Sequence, residues 1–585
     1  MTGPIEWRDG APPRSRRFGD LYYSAQDGLA EARTVFLAGC GLPEAWRGRP
    51  RFRVSELGFG TGLNIAALLD LWSREAPADA HLSIFTIEAF PLAAADAERA
   101  LGAWPELASV AGALIERWPG QARGFHRLDL PEYRATLDLA LMDAAEALAA
   151  WSGEADAWFL DGFSPALNPE MWRPEVLDLV AARSAPGARL ATYTVAGDVR
   201  RGLAAAGFAV ERVAGFGAKR QRLEARWPGD PAAERVLPRV AVVGAGIAGA
   251  SLDRAFEALG VRVRVIGSKA PPASAGPAAL VTPRLDAGLG DQAALFAQAF
   301  ARARALYAAT RGAVISQGAT QLAVGPKDTR RFAAIAASDL FEPGDMRLIT
   351  PADASGRIGE ASPEGLAIDT ALVVDPAPVL AVETIHATVA SLTSTNGIWS
   401  LGDAAGVALA EAEIVVIAAG MASALLVPGL PLRPVRGQAS FAPGARIGQA
   451  ALFGAYAAPA RGGVIFGATH DRDEEDLEPR AEDHARNLAA VAAVLPELAR
   501  CLEPAPLEAR VGVRATTSDY LPLAGAAGAP GLFVLTGLGS RGFTLAPLLA
   551  EHVAALALGA PSPLPASLAA LVDPARFARR KKRSQ

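Results

Sequence analysis

The sequence predicts an α/β protein built from two Rossmann-like domains. Of its 585 residues, 51% are hydrophobic and 20% are charged, so the chain can bury large cores and is not globally disordered. Short apolar runs alternate with helical segments in the first half, which predicts an open, mostly parallel sheet with helices on both faces. Two glycine-rich turns, ELGFGTGLN and VVGAGIAGA, each follow a strand-like run and precede a helical pattern. We therefore expect two nucleotide-binding units in one chain.

A segment rich in proline and charge, residues 227–238, separates the two turns. It lacks apolar periodicity and is typical of a linker, so we predict domains 1–235 and 236–585. The second domain contains more glycine-punctuated strands, which predicts a mixed α/β domain with an antiparallel, substrate-facing sheet. In the first domain we expect strands in 51–59, 81–90, 156–163 and 188–196, and helices in 92–114 and 176–183.

The composition argues against several classes of protein. Two cysteines, Cys40 and Cys501, are too few for a disulfide framework or a cysteine-based metal site, and we expect no metal. We find no apolar stretch long enough for a membrane span and no signal peptide, so we expect a cytoplasmic protein without membrane association. The net charge of −5 does not favour nucleic-acid binding, so RNA would have to meet local basic patches such as Lys219, Arg220 and Arg222. No obligate protein partner is inferred.

The first glycine turn runs from Glu56 to Asn64. Gly58, Gly60 and Gly62 let the backbone turn tightly and approach a ligand, and the helix that follows favours a negatively charged group. The glycines alternate, whereas a dinucleotide fingerprint requires G-x-G-x-x-G. The pattern resembles motif I of class I S-adenosylmethionine (SAM) methyltransferases. The alternative is a glycine-rich turn that binds no ligand.

This resemblance implies roles for carboxylates at the strand ends. In that family the acidic residue, here Glu56, and the glycine backbone face the methionine moiety of SAM. Glu88 would hold the ribose hydroxyls, and Asp143 would suit the adenine. Asp161 follows another strand in FLDGFSPALNPEMW, and the carboxyl ends of parallel strands face the ligand crevice. A carboxylate there can accept or orient the proton that an amine acceptor loses, so Asp161 is the candidate catalytic residue; the alternative is a helix cap or an Asx turn.

The second glycine turn is the dinucleotide fingerprint in its expected strand–turn–helix context. Gly244 makes the turn, Gly246 lets the backbone meet the pyrophosphate, and Gly249 lets helix and strand pack closely. The fingerprint alone does not separate FAD from NAD, and an empty Rossmann-like turn is the alternative. The next strand ends at Gly267, where an acidic residue is expected to hold the ribose.

Two later strings favour FAD. The string IVVIAAGMAS is an apolar strand that reaches Gly420, as in flavoproteins of the amino-acid-oxidase type. The string LFVLTGLGSRGFTLAPLLAEH is a strand, a loop with Gly539 and Gly542, and a helix whose N-terminus would stabilise negative charge on a reduced flavin. We therefore predict an amino-acid-oxidase-like FAD domain with Gly420, Gly539 and Gly542 at the cofactor.

Four strings of the first half resemble the methyltransferase half of the bifunctional tRNA 5-methylaminomethyl-2-thiouridine biosynthesis proteins: DLYYSAQDGLAEARTVFL, ELGFGTGLN, WFLDGFSPALNPEMW and GFGAKRQR. The remainder resembles the oxidoreductase half of the same family. The resemblance implies FAD-dependent removal of a carboxymethyl group from the wobble uridine of tRNA, followed by SAM-dependent N-methylation. It makes Tyr22, Tyr23 and Glu31 candidates for the cofactor and acceptor pocket. The substrate carboxylate requires a cation, for which Arg514 and Arg541 are the candidates.

Alternative functions stay open from the sequence alone. The two cofactor motifs also fit a small-molecule N-methyltransferase fused to an amine oxidase. The missing acid at Gly267 and the insertion of Pro277 near the expected flavin loop fit a non-catalytic RNA-binding scaffold with a decayed flavin half. Arg514 and Arg541 have a structural alternative as well, in salt bridges or as donors to backbone carbonyls.

Overall fold

The computed structural model describes residues 4–8, 11–217, 219–231 and 237–583. The chain divides into two compact units. The first is Met1–Leu237 with the short segments Ala258–Gly260 and Ala560–Ala566, and the second is the rest of the chain. The domain boundary expected at 235–236 lies outside the described residues and stays a prediction.

The first unit contains one large sheet with a parallel centre. Its strands are β1 (Ile5–Glu6), β2 (Arg14–Ser15), β3 (Arg51–Leu57), β4 (His81–Ile87), β5 (Gly124–Leu130), β6 (Ala135–Leu141), β7 (Ala155–Leu160), β8 (Ser184–Thr192), β9 (Ala209–Ala214) and β10 (Gln221–Arg226). Among the described residues, eight of these ten strands form the large sheet, in the order β5–β6–β4–β3–β7–β8–β10–β9. The strands from β6 to β8 pair in parallel, whereas β5, β10 and β9 add antiparallel edges.

The antiparallel edges refine the expectation of a mostly parallel sheet. β5 and β6 are joined by a short turn in which Arg134 has a φ of 47°, and so short a connection permits only antiparallel pairing. The helical stretch expected over 92–114 is interrupted, since Trp104 is extended before Pro105. The α-helices are α1 (Gly28–Glu31), α2 (Leu63–Glu75), α3 (Ala94–Leu101), α4 (Ala108–Glu116), α5 (Ala144–Ala150), α6 (Pro174–Ala182) and α7 (Gly197–Ala205).

The second unit combines a parallel nucleotide-binding sheet with a larger mixed sheet, as expected. Its strands are β11 (Val240–Val243), β12 (Val263–Gly267), β13 (Ala279–Val281), β14 (Val314–Leu322), β15 (Met346–Ile349), β16 (Gly365–Val374), β17 (Thr384–His386), β18 (Ser391–Thr395), β19 (Ile398–Gly402), β20 (Ala408–Ala412), β21 (Ile414–Ile417), β22 (Leu432–Pro443), β23 (Ala450–Leu452), β24 (Tyr456–Ala460), β25 (Gly463–Gly467), β26 (Asp471–Arg472), β27 (Glu508–Thr517), β28 (Leu523–Ala526) and β29 (Leu532–Thr536). The first sheet has the order β17–β12–β11–β21–β29–β28 and is parallel except at β28.

The mixed sheet follows β13–β16–β14–β23–β24–β25–β22–β26, with β15 on β16 and β27 on β22, and β18–β19–β20 form a small separate sheet. The neighbouring strands of the mixed sheet pair antiparallel, except for β14 with β23, which pair in parallel. The remaining α-helices are α8 (Ile247–Ala258), α9 (Asp291–Ala309), α10 (Asp328–Ala336), α11 (Pro351–Ile358), α12 (Pro376–Val379), α13 (Ser423–Leu426), α14 (Ala481–Ala492), α15 (Pro496–Leu502), α16 (Gly542–Leu558), α17 (Ala566–Val572) and α18 (Arg576–Arg583).

Both glycine turns lie at the carboxyl ends of parallel strands, after β3 in the first unit and after β11 in the second. Those ends are where open α/β sheets bind ligands. Among the helices that the structure describes, none combines the length and apolar character needed to cross a bilayer. The described side chains contain no group of three or more His, Cys, Asp or Glu residues arranged to hold a metal ion.

Candidate functional sites

Glu56, Asn64 and Asp161 meet at the carboxyl end of the first unit's sheet. Glu56 lies near the end of β3 and is only 1% exposed. Its carboxylate accepts hydrogen bonds from Thr86 Oγ1 at 2.8 Å and from Asn64 Nδ2 at 3.1 Å. The same amide nitrogen donates to Asp161 Oδ2 at 2.7 Å. Asn64 therefore links the acidic residue of the glycine motif to the candidate catalytic carboxylate.

Glu88 follows β4, and its carboxylate closes over the glycine turn. Oε2 accepts from the Gly60 N–H at 2.9 Å, and Oε1 accepts from the Phe90 N–H at 2.8 Å. Gly60 has a φ of 52°, and a Cβ at that position would lie 3.3 Å from the Tyr22 ring. Each carboxylate oxygen has a second lone pair, so Glu88 can still accept from ribose hydroxyls. Tyr22 therefore lies over the glycine turn, and its role in the cofactor and acceptor pocket stays a prediction.

Burial raises the pKa of all three carboxyl groups. The pKa of Glu56 is raised well above its usual range, first by burial and then by the charges of Asp161 and Glu88. Burial also raises the pKa of Glu88. It raises the pKa of Asp161 to about 7, although hydrogen bonds from the Gly162 N–H and Asn64 oppose the shift. Carboxylates held this way are stabilised by a cationic ligand, and SAM supplies a sulfonium and an ammonium group. The residues present fit SAM.

Asp143 lies beyond the end of β6, at the predicted strand end, but its carboxylate already has two structural partners. Oδ1 caps α5 by accepting from the Ala145 N–H at 2.9 Å, and Arg173 donates to the same oxygen at 2.7 Å. Burial raises the pKa of Asp143, but the contacts with Arg173 and the helix N–H groups bring it below its usual value. A contact between Asp143 and adenine stays a prediction.

Two positions of the second unit's glycine turn exclude a side chain. Gly244 has a φ of 115°, and a Cβ there would lie 2.3 Å from the carbonyl oxygen of Ala418. A Cβ at Gly249 would lie 1.8 Å from the carbonyl oxygen of Gly244, so α8 packs directly on the turn. Gly246 is less confined, because its Cβ would lie 3.3 Å from Ser274 Oγ. This is the cradle that a pyrophosphate requires.

Two helix N-termini converge beside this turn. Ile247, the first residue of α8, donates its N–H to Ser274 Oγ at 3.1 Å. A Cβ on Gly542, the first residue of α16, would lie 3.1 Å from the Ile247 side chain. Gly420 follows β21, and a Cβ at this position would have no neighbouring atom within 4 Å. The Gly420 carbonyl accepts a hydrogen bond from Thr536 Oγ1 at 3.0 Å. The positive ends of α8 and α16 thus lie together, which fits the pyrophosphate and a reduced flavin of FAD.

The ribose side of the second turn departs from an ordinary dinucleotide site. β12 ends at Gly267, where the fingerprint expects a carboxylate. A Cβ at Gly267 would lie 2.7 Å from Ala245 Cβ and 3.3 Å from the Thr384 side chain. The strand end therefore packs too closely on the glycine turn to carry an acidic side chain. FAD fits the turn and the helix ends, without a ribose contact from this position.

One face of β27 runs along the cofactor region. Gly512, Arg514 and Thr516 share this face, because residues two apart in a strand point to the same side. A Cβ on Gly512 would lie 3.3 Å from Ala273 Cβ, and a Cβ on Gly539 would lie 3.6 Å from Thr516 Cγ2. Arg514 therefore lies between the segment that caps α8 and the Gly539 loop before α16.

The two candidate arginines differ in their existing partners. Arg541 donates to the carbonyl and hydroxyl oxygens of Thr282, and burial lowers its pKa to about 10. Arg514 makes one backbone contact, 3.3 Å to the Thr469 carbonyl, and burial lowers its pKa as well. Its guanidinium occupies the space where a side chain on Gly437 would be. Among the described residues no carboxylate lies within ion-pair distance of Arg514, so Arg514 is the better placed to bind a substrate carboxylate.

Gly437 and Ser274 support the second site but were not among the predicted residues. Gly437 lies on β22 opposite Gly512 of β27, and its lack of a side chain leaves room for the Arg514 guanidinium. Its sequence signal is a single glycine inside the long strand LRPVRGQASFAP, which does not reveal the neighbouring strand. Ser274 lies in ASAGPAAL, the segment whose inserted proline raised doubt about the flavin contacts.

The basic patch expected in GFGAKRQR is largely neutralised. Lys219 Nζ lies 3.0 Å from Glu31 Oε1, and Arg222 lies 2.6 Å from Glu224 Oε1. Arg220 is exposed and, among the described residues, has no ion-pair partner. Only Arg220 of the three is available for a phosphate without breaking an ion pair.

Comparison with known proteins assigns both units. A family model for S-adenosyl-L-methionine-dependent methyltransferases matches residues 105–228, and one for FAD dependent oxidoreductases matches residues 239–556. The tRNA 5-methylaminomethyl-2-thiouridine biosynthesis bifunctional protein of Caulobacter sp. (strain K31) is 58% identical over 99% of this chain and 98% of its own. The proteins of the same name from Caulobacter vibrioides and Maricaulis maris are 55% and 40% identical, over 98% and 99% of this chain and 97% of each relative. The chain belongs to this family.

Family membership confirms the fold class and both cofactors. The chain is an enzyme in which a SAM-dependent methyltransferase domain precedes an FAD-dependent oxidoreductase domain. The match to FAD-dependent enzymes decides between FAD and NAD, which the glycine fingerprint left open. The alternative of a non-catalytic RNA-binding scaffold with a decayed flavin half is therefore not supported. The roles of the individual site residues stay predictions.

Proposed function

We propose that the chain carries out two consecutive reactions on the wobble uridine of tRNA. The second unit removes the carboxymethyl group from 5-carboxymethylaminomethyl-(2-thio)uridine, and the first unit methylates the resulting 5-aminomethyl group. The names of its relatives support this substrate. The observation that carries the proposal is the opposite charge of the two sites. One has a half-buried Arg514, which pairs with no carboxylate among the described residues, and the other has three carboxyl groups with raised pKa values.

In the second unit, Arg514 binds the substrate carboxylate through two parallel N–H donors. FAD, when bound, supplies the acceptor for a hydride. The CH2 carbon of the carboxymethyl group loses the hydride, and the amine nitrogen loses a proton. These losses form a C=N bond between that carbon and the nitrogen. Water adds to that bond, and cleavage of the C–N bond releases glyoxylate and leaves the aminomethyl group. Arg541 fixes Thr282 against the start of α16 and does not need to touch the substrate.

In the first unit, Asp161 accepts a proton from the aminomethyl ammonium group and so frees the nitrogen lone pair. SAM, when bound, would supply an electrophilic methyl group, which the free lone pair would take from the sulfonium sulfur as the C–S bond breaks. Asn64 and the Gly162 N–H hold the two Asp161 oxygens, at 2.7 and 2.8 Å. Positioning and deprotonation together account for the rate of such a transfer.

The tRNA backbone is held by exposed cations such as Arg220, so binding weakens as salt concentration rises. We also propose that the enzyme acts in the cytoplasm without an obligate protein partner. The test is mass spectrometry of nucleosides after incubation of carboxymethylaminomethyl-tRNA with the protein, with and without SAM. A loss of mass without SAM and a methyl gain only with SAM is expected.

No change in either incubation would contradict the proposed function. Free glycine and sarcosine serve as a second set of substrates. Turnover of these without tRNA, together with no change in the tRNA, would favour the fused small-molecule enzyme instead.

A further inference from the structure

Lys219 lies at the rim of the methyl-transfer site, where its side chain is half-exposed and contacts two residues of that site. Its ammonium lies 3.0 Å from Glu31 Oε1 and 4.0 Å from the centroid of the Tyr193 ring. The Glu31 side chain is 12% exposed and that of Lys219 is 47% exposed. A carboxylate and an aromatic face together are the groups that recognise a primary ammonium ion.

The Lys219 contacts are joined to the candidate catalytic residue. Tyr193 donates its hydroxyl hydrogen bond to the Gly162 carbonyl at 2.8 Å, and the Gly162 N–H is bonded to Asp161 Oδ1 at 2.8 Å. Glu31 and Tyr193, which contact the Lys219 ammonium, are therefore linked through Gly162 to the Asp161 carboxylate.

We propose that Lys219 is a positioning residue of the methyl-transfer site, whose ammonium occupies, in the free enzyme, the place that the acceptor's aminomethyl ammonium takes on binding. The inference rests on the proposed function. Both groups are primary ammonium ions, and the flexible four-carbon stem of lysine lets Lys219 withdraw when the acceptor enters. Glu31 then binds the acceptor nitrogen while Asp161 receives its proton.

This role differs from the phosphate contact that the sequence indicates for Lys219. Both side chains are exposed, but Lys219 is paired with Glu31, whereas Arg220 has no ion-pair partner in the part of the chain that the structure describes and is the better phosphate contact. A displaceable Lys219 keeps the Glu31 carboxylate paired while the site is empty, and so avoids an isolated, largely buried charge. It also disfavours acceptors without an ammonium group, because these give Glu31 no replacement cation.

The electrostatics of Asp161 give a second signature. The charged and titratable groups that act on it are Glu31, which raises its pKa, and Lys219, which lowers it, with Glu56 and Tyr193 also nearby. Removing the Lys219 charge therefore raises the pKa of Asp161 further. The acid limb of kcat/KM for methylation, which reports the free enzyme, then moves to higher pH.

The test measures the dissociation constants of two tRNAs, one with 5-aminomethyluridine and one with unmodified uridine at the wobble position, for the full-length holoenzyme. Lys219→Met should bind the aminomethyl tRNA about two- to fivefold more tightly relative to the unmodified tRNA, the size expected for a half-exposed ion pair. The acid limb of its kcat/KM for methylation should lie at higher pH than that of wild type. Arg220→Ala is the reference for a phosphate contact and should weaken both tRNAs equally, with a salt slope reduced by about 1.

Equal weakening of both tRNAs by Lys219→Met, or unchanged discrimination with an unmoved acid limb, would overturn the inference. If Lys219→Met lowers the melting temperature, Lys219→Gln provides the same comparison with a polar side chain. Glu31→Gln should remove discrimination for the aminomethyl group. A wild-type enzyme that does not methylate aminomethyl tRNA at all would instead contradict the proposed function, independently of Lys219.

Discussion

The two sites use the same physical effect with opposite signs. In the first unit burial raises the pKa values of Glu56, Glu88 and Asp161, and in the second it lowers those of Arg514 and Arg541. Loss of solvent disfavours the charged form of either kind of group. We therefore expect each site to favour a ligand of the opposite charge, cationic in the first unit and anionic in the second.

This contrast matches the proposed substrate before and after oxidation. The carboxymethylaminomethyl group carries a carboxylate, which suits the arginine site. The aminomethyl product has lost that carboxylate and keeps an ammonium group, which suits the acidic site. We therefore expect the charge of each site to favour the substrate at the oxidase first and its product at the methyltransferase second.

Replacement of Asp161 by Asn should have the largest effect on activity, and it should affect only the first of the two sites. The amide keeps the size of the side chain but cannot accept the proton, so methyl transfer should slow about 10²- to 10⁴-fold. Single-turnover methylation of aminomethyl tRNA measures this effect. Removal of the carboxymethyl group by the same protein is the internal control and should be unchanged. A variant that still methylates at the wild-type rate refutes the role of Asp161.

Replacement of Arg514 by Leu tests the other side of the comparison. Loss of the cation that pairs with a carboxylate in a largely desolvated site costs about 2–4 kcal/mol, so kcat/KM for carboxymethyl removal should fall about 30- to 1000-fold. Arg510→Leu is the matched control, since Arg510 lies on the same strand, is exposed and pairs with Glu508 at 2.7 Å. The account is wrong if the Arg510 and Arg514 variants have the same effect.

The glycine turn of the second unit offers a graded pair of variants. Gly249→Ala places a Cβ 1.8 Å from a backbone oxygen and should abolish flavin retention, seen as loss of the flavin absorbance band of the purified protein. Gly246→Ala meets its nearest neighbour at 3.3 Å and should weaken flavin binding less. SAM binding, measured by calorimetry, should be unchanged in both. The reverse order of flavin loss would contradict the geometry of the turn.

The pH dependence of the methylation rate should show the smallest of these effects. Asp161 must be ionised to accept a proton, and its pKa is raised to about 7, so methylation should fall about tenfold per pH unit below pH 7. Asn64→Ala removes a hydrogen bond that lowers this pKa, so the limb should move to higher pH. A pH–rate profile between pH 5.5 and 9 measures both, and a flat profile below pH 7 would count against Asp161 as the proton acceptor.

The sequence predicts the strands and turns well because apolar runs and glycines report local geometry. It places Glu56, Glu88 and Asp161 at strand ends, and the sheet then brings their side chains together. It does not reveal contacts between residues far apart in the chain. The pairing of Lys219 with Glu31 is of this kind, so Lys219 reads from the sequence as part of a basic surface patch.

The second site illustrates the same limit. Arg514 and Arg541 are equivalent candidates in the sequence because both lie in glycine-flanked strings. Only the fold shows that the Arg541 guanidinium is already hydrogen-bonded to Thr282 and that Gly437 leaves space for the Arg514 side chain. The antiparallel edges of the first sheet are also absent from the apolar pattern, since they depend on the length of the connecting turns.

The most direct test of two opposite sites acting in order is a sequential assay with two inactivated proteins. Carboxymethylaminomethyl-tRNA is incubated with Asp161→Asn, repurified, and then given to Arg514→Leu with SAM, with nucleoside mass spectrometry at each stage. The account predicts aminomethyluridine after the first protein and methylaminomethyluridine after the second, whereas the Arg514 variant alone leaves the starting tRNA essentially unchanged. Methylation by the Asp161 variant, or no methylation of the repurified tRNA by the Arg514 variant, would contradict it.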